Sequence, residues 1–209
     1  MSEQQHNLSH ELLKIVDENT GELTGETLSR GEVISTKRWC RSTNIFVMNT
    51  KGEILCHQRS LNKERHPGWW MTHFGGHVSG EETFDDNAIK ELQEEIGLSV
   101  AAEELLPWRT SRKTDARLWV RDYITIFDGD ISELVLQESE IQRVKWFTAE
   151  EIYAQLDRED LDEAEGWKAG THNFEHDYHC MRAVLTAAMH MGIFSDAFHH
   201  MKNWHPVQR

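Results

Sequence analysis

Residues 84–96, FDDNAIKELQEEI, constrain the architecture more than any other stretch of the chain. Ala88, Ile89, Leu92 and Ile96 recur at helical spacing and form one apolar stripe, and Gly97 stands where a helix commonly ends in a left-handed residue. Glu91, Glu94 and Glu95 fall at i, i+3 and i+4, so their carboxylates share the neighbouring stripe. Such a helix must seat its apolar side on another layer, and the glutamates then line the rim of whatever cleft borders that seam.

Carboxylates this close repel one another by roughly a few tenths of a kcal/mol per pair unless a cation sits among them. A hard divalent ion is the natural remedy: Mg²⁺ takes oxygen ligands, keeps several waters and is usually shared between carboxylates and substrate phosphates, and Mn²⁺ suits the same donors. An arbitrary E-x-x-E-E is more often a solvated helix face, so the spacing around it has to decide.

Around the helix the pattern is that of strands. Residues 12–16 followed by DENTGE read as a strand entering a hairpin. A clearer hairpin spans NIFVMNTKGEILCHQ, with strands at 44–48 and 54–57 about a turn at 49–52. RSLNKERHPGWW is a basic and aromatic loop closed by Pro67 and Gly68. Further strands are expected at 118–127 and 144–147, and helices at 149–156 and 174–191, the last two elements joined by the charged segment LDREDLDEAEGWKAG. The expected class is α/β of the α+β kind, with residues 1–10 loose and 11–209 one domain bearing an N-terminal hairpin and a C-terminal helical extension.

Composition excludes several classes. A formal charge of −14 over 209 residues argues against a nucleic-acid polymer as partner, because polymer binding draws on many Lys and Arg contacts to phosphate. Cys40, Cys56 and Cys180 are an odd number without a CxxC pair, which points to a reducing compartment. No stretch approaches about 18 consecutive apolar residues and the N-terminus carries no basic-then-apolar leader, so a cytoplasmic protein without a membrane span is expected.

The segment GHVSGEETFDDNAIKELQEEIGL resembles the Nudix box, G-x5-E-x7-R-E-U-x-E-E-x-G-U with U apolar. Gly76, Glu82, Glu91, Leu92, Glu94, Glu95, Gly97 and Leu98 fall in register, and Lys90 stands where the family has arginine. The resemblance implies a Nudix fold, a mixed β-sheet sandwiched between helices, and hydrolysis of a diphosphate linkage in a nucleoside diphosphate derivative or related small molecule. It implies Glu91, Glu94 and Glu95 as metal ligands, with Gly76 adding a backbone carbonyl, and a supporting role for Glu82. A loop carboxylate after the box often serves the family as ligand or base; Glu138 is assigned that role here, with Glu140 as the other candidate. Family members are often homodimers, so a homodimer is the assembly the resemblance offers. The arginine's fork of donors cannot be copied by Lys90.

Beyond the box, VDENTGELTG, NTKGEILCHQRSLNKERHPGWW and FGGHVSGEE look like the branch that holds isopentenyl diphosphate isomerase and its hydrolase relatives. Where the isomerase has its cysteine this chain has Gly75, and the segment RGEVISTKRWCRSTN lacks the isomerase's upstream histidines, which favours hydrolysis. His77 matches a metal-binding histidine of the isomerase, but alone it fits a structural role better. An isomerase-like enzyme and a catalytically silent nucleotide-binding module remain the rival classes.

Arg59, Lys63 and Arg65, with Trp69 and Trp70, are candidates to hold the diphosphate and cover its substituent; Trp70 fits the sheet core equally well. Lys37, Arg38, Trp39 and Arg41 form a second basic cluster, read as a solvated strand end and given no role. The C-terminal histidines, His176 one turn from Cys180 among them, suit an ordinary amphipathic helix better than a metal pair.

Overall fold

The computed structural model describes residues 11–156 and 167–168. The helix expected at 174–191, the C-terminal histidines, Cys180 and residues 1–10 lie outside the described residues.

Two antiparallel strands, β1 (Leu12–Val16) and β2 (Leu23–Ser29), form the expected N-terminal hairpin. It leads into α1 (Arg30–Thr36), a helix not expected from the sequence pattern. Its start was nevertheless written in the chain: Ser29 and Glu32 make a reciprocal capping box, the serine hydroxyl accepting from the Glu32 amide while the Glu32 carboxylate accepts from the Ser29 amide. Seven residues with only Val33 buried are too few to show a helical period.

The main sheet is mixed and runs β6 (Leu106–Lys113), β7 (Leu118–Ile126), β3 (Cys40–Met48), β4 (Ile54–Arg59), β5 (Trp70–Met71), β9 (Trp167–Lys168), with β8 (Ile141–Phe147) also paired to β4. Its centre is β3 (Cys40–Met48) lying parallel to β7 (Leu118–Ile126) in continuous register from Cys40 against Leu118 to Met48 against Ile126. The expected hairpin joins β3 to β4 (Ile54–Arg59). Asn49 shapes its turn by accepting the Lys51 and Glu53 amides on its side-chain oxygen, each at 3.0 Å, and Asp128 fixes it to the end of β7 through Thr50. β5 (Trp70–Met71), β8 (Ile141–Phe147) and the short β9 (Trp167–Lys168) complete one side. On the other, β6 (Leu106–Lys113) is an edge strand not expected from LPWRTSRK, whose single buried residue gives no alternation to detect.

The glutamate-bearing helix is α2 (Phe84–Ile96). Thr83 caps it through a box with Asp86, and Gly97, at φ 68°, closes it: the Gly97 amide donates to Gln93 O and the Leu98 amide to Leu92 O. Its buried face, Phe84, Ala88, Leu92 and Ile96, packs on Ile45, Val47, Leu55, Phe74 and Tyr123 of the sheet and the segment after β5. The last described helix is α3 (Ala149–Leu156). No helix among the described residues is long and apolar enough to cross a membrane.

Candidate functional site

Because α2 lies with its apolar stripe on the sheet, the adjoining glutamate stripe is carried to the helix edge, against the segment Phe74–Gly75–Gly76. Glu95 is buried and its Oε2 accepts the Gly75 amide at 3.1 Å. Glu91 is partly buried and accepts weakly from Asn87 Nδ2 at 3.4 Å. Burial, then the nearby Glu91 charge, pushes the Glu95 carboxyl up to about 8. Burial also lifts Glu91 to about 7; the Lys90 ammonium opposes that rise and Glu94 adds to it. Glu94 itself is exposed at the rim.

Gly76 is the structural counterpart of Glu91. A Cβ placed there would stand 2.7 Å from Glu91 Oε1 and 2.9 Å from its Cδ, so the carboxylate occupies the space that a side chain would take. The Gly76 carbonyl accepts both the Thr43 amide and the Ser42 hydroxyl, each at 2.9 Å. Both of its lone pairs are thus engaged within the fold, and Gly76 also gives the room that the Glu91 carboxylate occupies.

Lys90 pairs with Glu82. Its Nζ meets the two Glu82 oxygens at 2.8 and 3.0 Å, one atom bridging both where a guanidinium would present a fork. Glu82 further accepts from Asn87 at 3.2 Å and from Ser79, so it ties the loop before α2 to the helix and stands apart from Glu95.

The loop after β7 returns to this end of α2 by a route no local pattern could show. The Val135 and Gln137 amides donate to the Ile96 and Glu95 carbonyls at 3.1 and 3.0 Å, and the Ser60 amide donates to Glu140 O at 2.8 Å. Glu140 is thereby set where its charge is felt by both Glu95 and Arg59. Lys63 reaches the same carboxylate at 2.6 Å. Glu138, first choice on sequence, is exposed, and Glu140 is the loop carboxylate at the site.

Arg59 ends β4 with its Nε bound to the Arg65 carbonyl at 3.1 Å, so Arg59, Lys63, Glu140 and Glu95 form one polar neighbourhood. Arg65 is exposed on the loop. Trp70 resolves to the core: it is 8% exposed and meets Phe147 edge-on at 5.1 Å, so it offers no ring to a ligand. Trp69 is half-buried and stacks obliquely on His66. Among the described residues His77 has no carboxylate partner; burial holds it down at about 4, and its carbonyl accepts from Asn87. His57 is buried against Phe74, and that burial holds its imidazole well below the usual range.

Among the described residues, Glu91, Glu94 and Glu95 are not drawn together as a closed ligand cluster. The donor set nevertheless fits a hard cation. Two carboxylates with raised affinity for protons share an edge, with a third at the rim and a fourth, Glu140, on the facing loop.

Comparison with known proteins gives three findings. A family model described as the NUDIX domain matches residues 38–167. An uncharacterized Nudix hydrolase of Listeria monocytogenes is 30% identical over 67% of this chain and 81% of its own length, and the isopentenyl-diphosphate Delta-isomerase of Kocuria rhizophila is 27% identical over 53% and 63%. A Deinococcus radiodurans crystal structure superposes with a TM-score of 0.63 at 21% identity, covering 83% of this chain and 99% of that one.

Proposed function

Since the chain belongs to the Nudix family of hydrolases, we propose that it cleaves a diphosphate linkage in a nucleoside diphosphate derivative or related small molecule, using Mg²⁺ or Mn²⁺ held by Glu91, Glu94 and Glu95. The observation that carries the reading is the pair Glu91 and Glu95. They lie on one helix edge, Glu95 buried and Glu91 partly so, and among the described residues neither makes a salt bridge, Lys90 being committed to Glu82. Natural folds bury charge of one sign chiefly where an opposite charge is to be bound. When bound, the cation would offset phosphate charge and lower the pKa of a coordinated water.

The chain's own residues supply the rest. Arg59, close enough to feel the Glu95 and Glu140 charges, and Lys63, paired with Glu140, can take non-bridging phosphate oxygens, Arg59 as a fork and Lys63 as a point charge. Engaging Lys63 with phosphate competes with its ion pair to Glu140, which leaves that carboxylate open to accept a proton from the attacking water. Burial of the Glu95 side keeps bulk water from competing for these contacts.

Gly75 weighs against the isomerase alternative. Its φ is +125°, and a Cβ there would lie 2.3 Å from the Thr43 carbonyl oxygen. The backbone at the position of the isomerase's cysteine therefore has no room for a side chain.

A panel of nucleoside diphosphate derivatives, nucleotide sugars, dinucleotides and prenyl diphosphates, assayed with Mg²⁺ or Mn²⁺ for release of phosphate or nucleotide, tests the proposal. Turnover should require metal and fall at least about a hundredfold in Glu95→Gln. Equal turnover in Glu95→Gln and the unmodified chain would overturn it.

A further inference from the structure

A cavity of about 490 Å³ opens at the N-terminal end of α2, bounded by Lys14 and Leu23 of the β1–β2 hairpin and by Arg41, Phe84 and Arg121. It is not the site described above: eleven residues at about 1.5 Å each put Phe84 about 16 Å along the helix from Glu95. The hairpin that walls it precedes the stretch matched by the family model, residues 38–167.

Arg41 on β3 and Arg121 on β7 point to the same face of the sheet, and both guanidiniums lie over the Phe84 ring, at 5.1 and 4.4 Å from its centre. The ring holds them as a fixed pair. The acids around the cavity are spoken for by other groups. Glu81 pairs with Lys14 at 2.5 Å, Glu82 with Lys90, and Asp85 accepts the Tyr123 hydroxyl. Neither arginine has a salt bridge among the described residues. Arg41 donates to the Gly21 carbonyl at 2.9 Å, but its Nε is buried with no hydrogen-bond partner among the described residues; Arg121 reaches only the Thr110 hydroxyl, at 3.4 Å, and the Tyr123 hydroxyl.

Two partly buried guanidiniums side by side, in a chain of net charge −14, repel each other and carry donors left over. We propose that this cavity is a second anion site, in which Arg41 and Arg121 bind a phosphoryl dianion, as orthophosphate or as a phosphate monoester, with Lys14 at the mouth. Guanidinium forks match the tetrahedral oxygens of that group, and with two of them on a rigid ring the binding costs little ordering. The products of the hydrolysis proposed above carry the same group, which makes the site suited to sense product without occupying the carboxylate edge.

Calorimetric titration of the full chain in EDTA, with inorganic phosphate in one arm and adenosine monophosphate in the other, tests this apart from catalysis, since chelation silences the carboxylate edge. Saturable binding is expected, with Arg41→Gln and Arg121→Gln each weakening it about tenfold or more. Leu23→Glu, at an exposed hairpin position, adds a carboxylate at the mouth without disturbing the core and should weaken binding similarly, whereas Arg59→Gln should not. Binding in the phosphate arm alone identifies the free ion as ligand, and binding in both identifies the monoester as well. No binding at millimolar phosphoryl ligand in either arm, or affinity unchanged in Leu23→Glu and both arginine variants, overturns the proposal.

Discussion

Replacing Gly76 by alanine separates the architecture of the site from the stability of the fold. The new methyl would start 2.7 Å from Glu91 Oε1, whereas ordinary contact begins near 3.4 Å, so the carboxylate must retreat by at least 0.7 Å. What moves is the free end of a flexible side chain, and turning it off its preferred rotamer costs about 0.5–1.5 kcal/mol. The loss of unfolded-state freedom on going from glycine to alanine offsets about 0.4–1 kcal/mol of that. The melting temperature should therefore fall by no more than about 3 °C. Magnesium coordination, in contrast, tolerates little displacement from about 2.1 Å octahedral geometry, and misplacing a catalytic group by about 1 Å can cost a hundredfold in rate. Turnover should drop ten- to a hundredfold while the fold persists. Gly75→Ala is the internal control: φ +125° and a 2.3 Å clash with the Thr43 carbonyl oppose backbone to backbone, which should cost more than about 3 kcal/mol and lower the melting temperature by about 6–12 °C. The paired assay is thermal unfolding by circular dichroism and metal-dependent turnover on the best panel substrate. Wild-type turnover in Gly76→Ala, or a loss of stability as large as that of Gly75→Ala, would refute the reasoning.

Four further outcomes follow from the same geometry. Glu91 and Glu95 have carboxyls raised to about 7 and about 8 from an ordinary 4.5, so the folded, metal-free chain holds protons that the unfolded chain releases. Their stabilising contribution is then full below about pH 4.5 and lost as pH climbs through 7–8; Glu95→Gln should flatten that decline in melting curves recorded in EDTA, and a decline as steep as before would contradict it. By the same linkage, Mn²⁺ affinity measured by titration should rise with pH up to about 8. Glu140→Gln should slow turnover by about a hundredfold or more with Glu138→Gln close to wild type, and the reverse order would return the role to Glu138. Trp70→Ala should destabilise the chain by about 3–5 kcal/mol without a selective rise in KM, whereas Arg59→Ala should raise KM with little change in melting.

Much of the site was legible because it sits on one helix. The period of α2 relates Glu91, Glu94 and Glu95 to one another and to the apolar stripe with no knowledge of the rest of the fold, since helix geometry is local. The same holds for the turn at 49–52, where Asn49 and Gly52 specify the backbone they adopt. Length and pattern failed where the signal was weak: α1 shows a cap but too few turns, and β6 is a polar edge strand whose pairing with β7 supplies what its own residues do not announce.

What only tertiary structure decided are the relations between segments far apart in the chain. Burial is one: Trp70 and Arg59 stand in the same basic and aromatic stretch, yet the first packs on Phe147 and the second faces Glu140. Reach is another. Glu138 and Glu140 differ by two places in sequence, yet Glu138 is exposed while Glu140 meets Lys63, because the loop's amides dock on the carbonyls that end α2. The parallel pairing of β3 with β7, which brings Arg41 and Arg121 over one phenyl ring, is the third. Residue types and local spacing declare which groups are available for chemistry, but hydrogen bonds and packing across about 80 residues of chain decide which of them meet, because those energies exist only once the layers have closed.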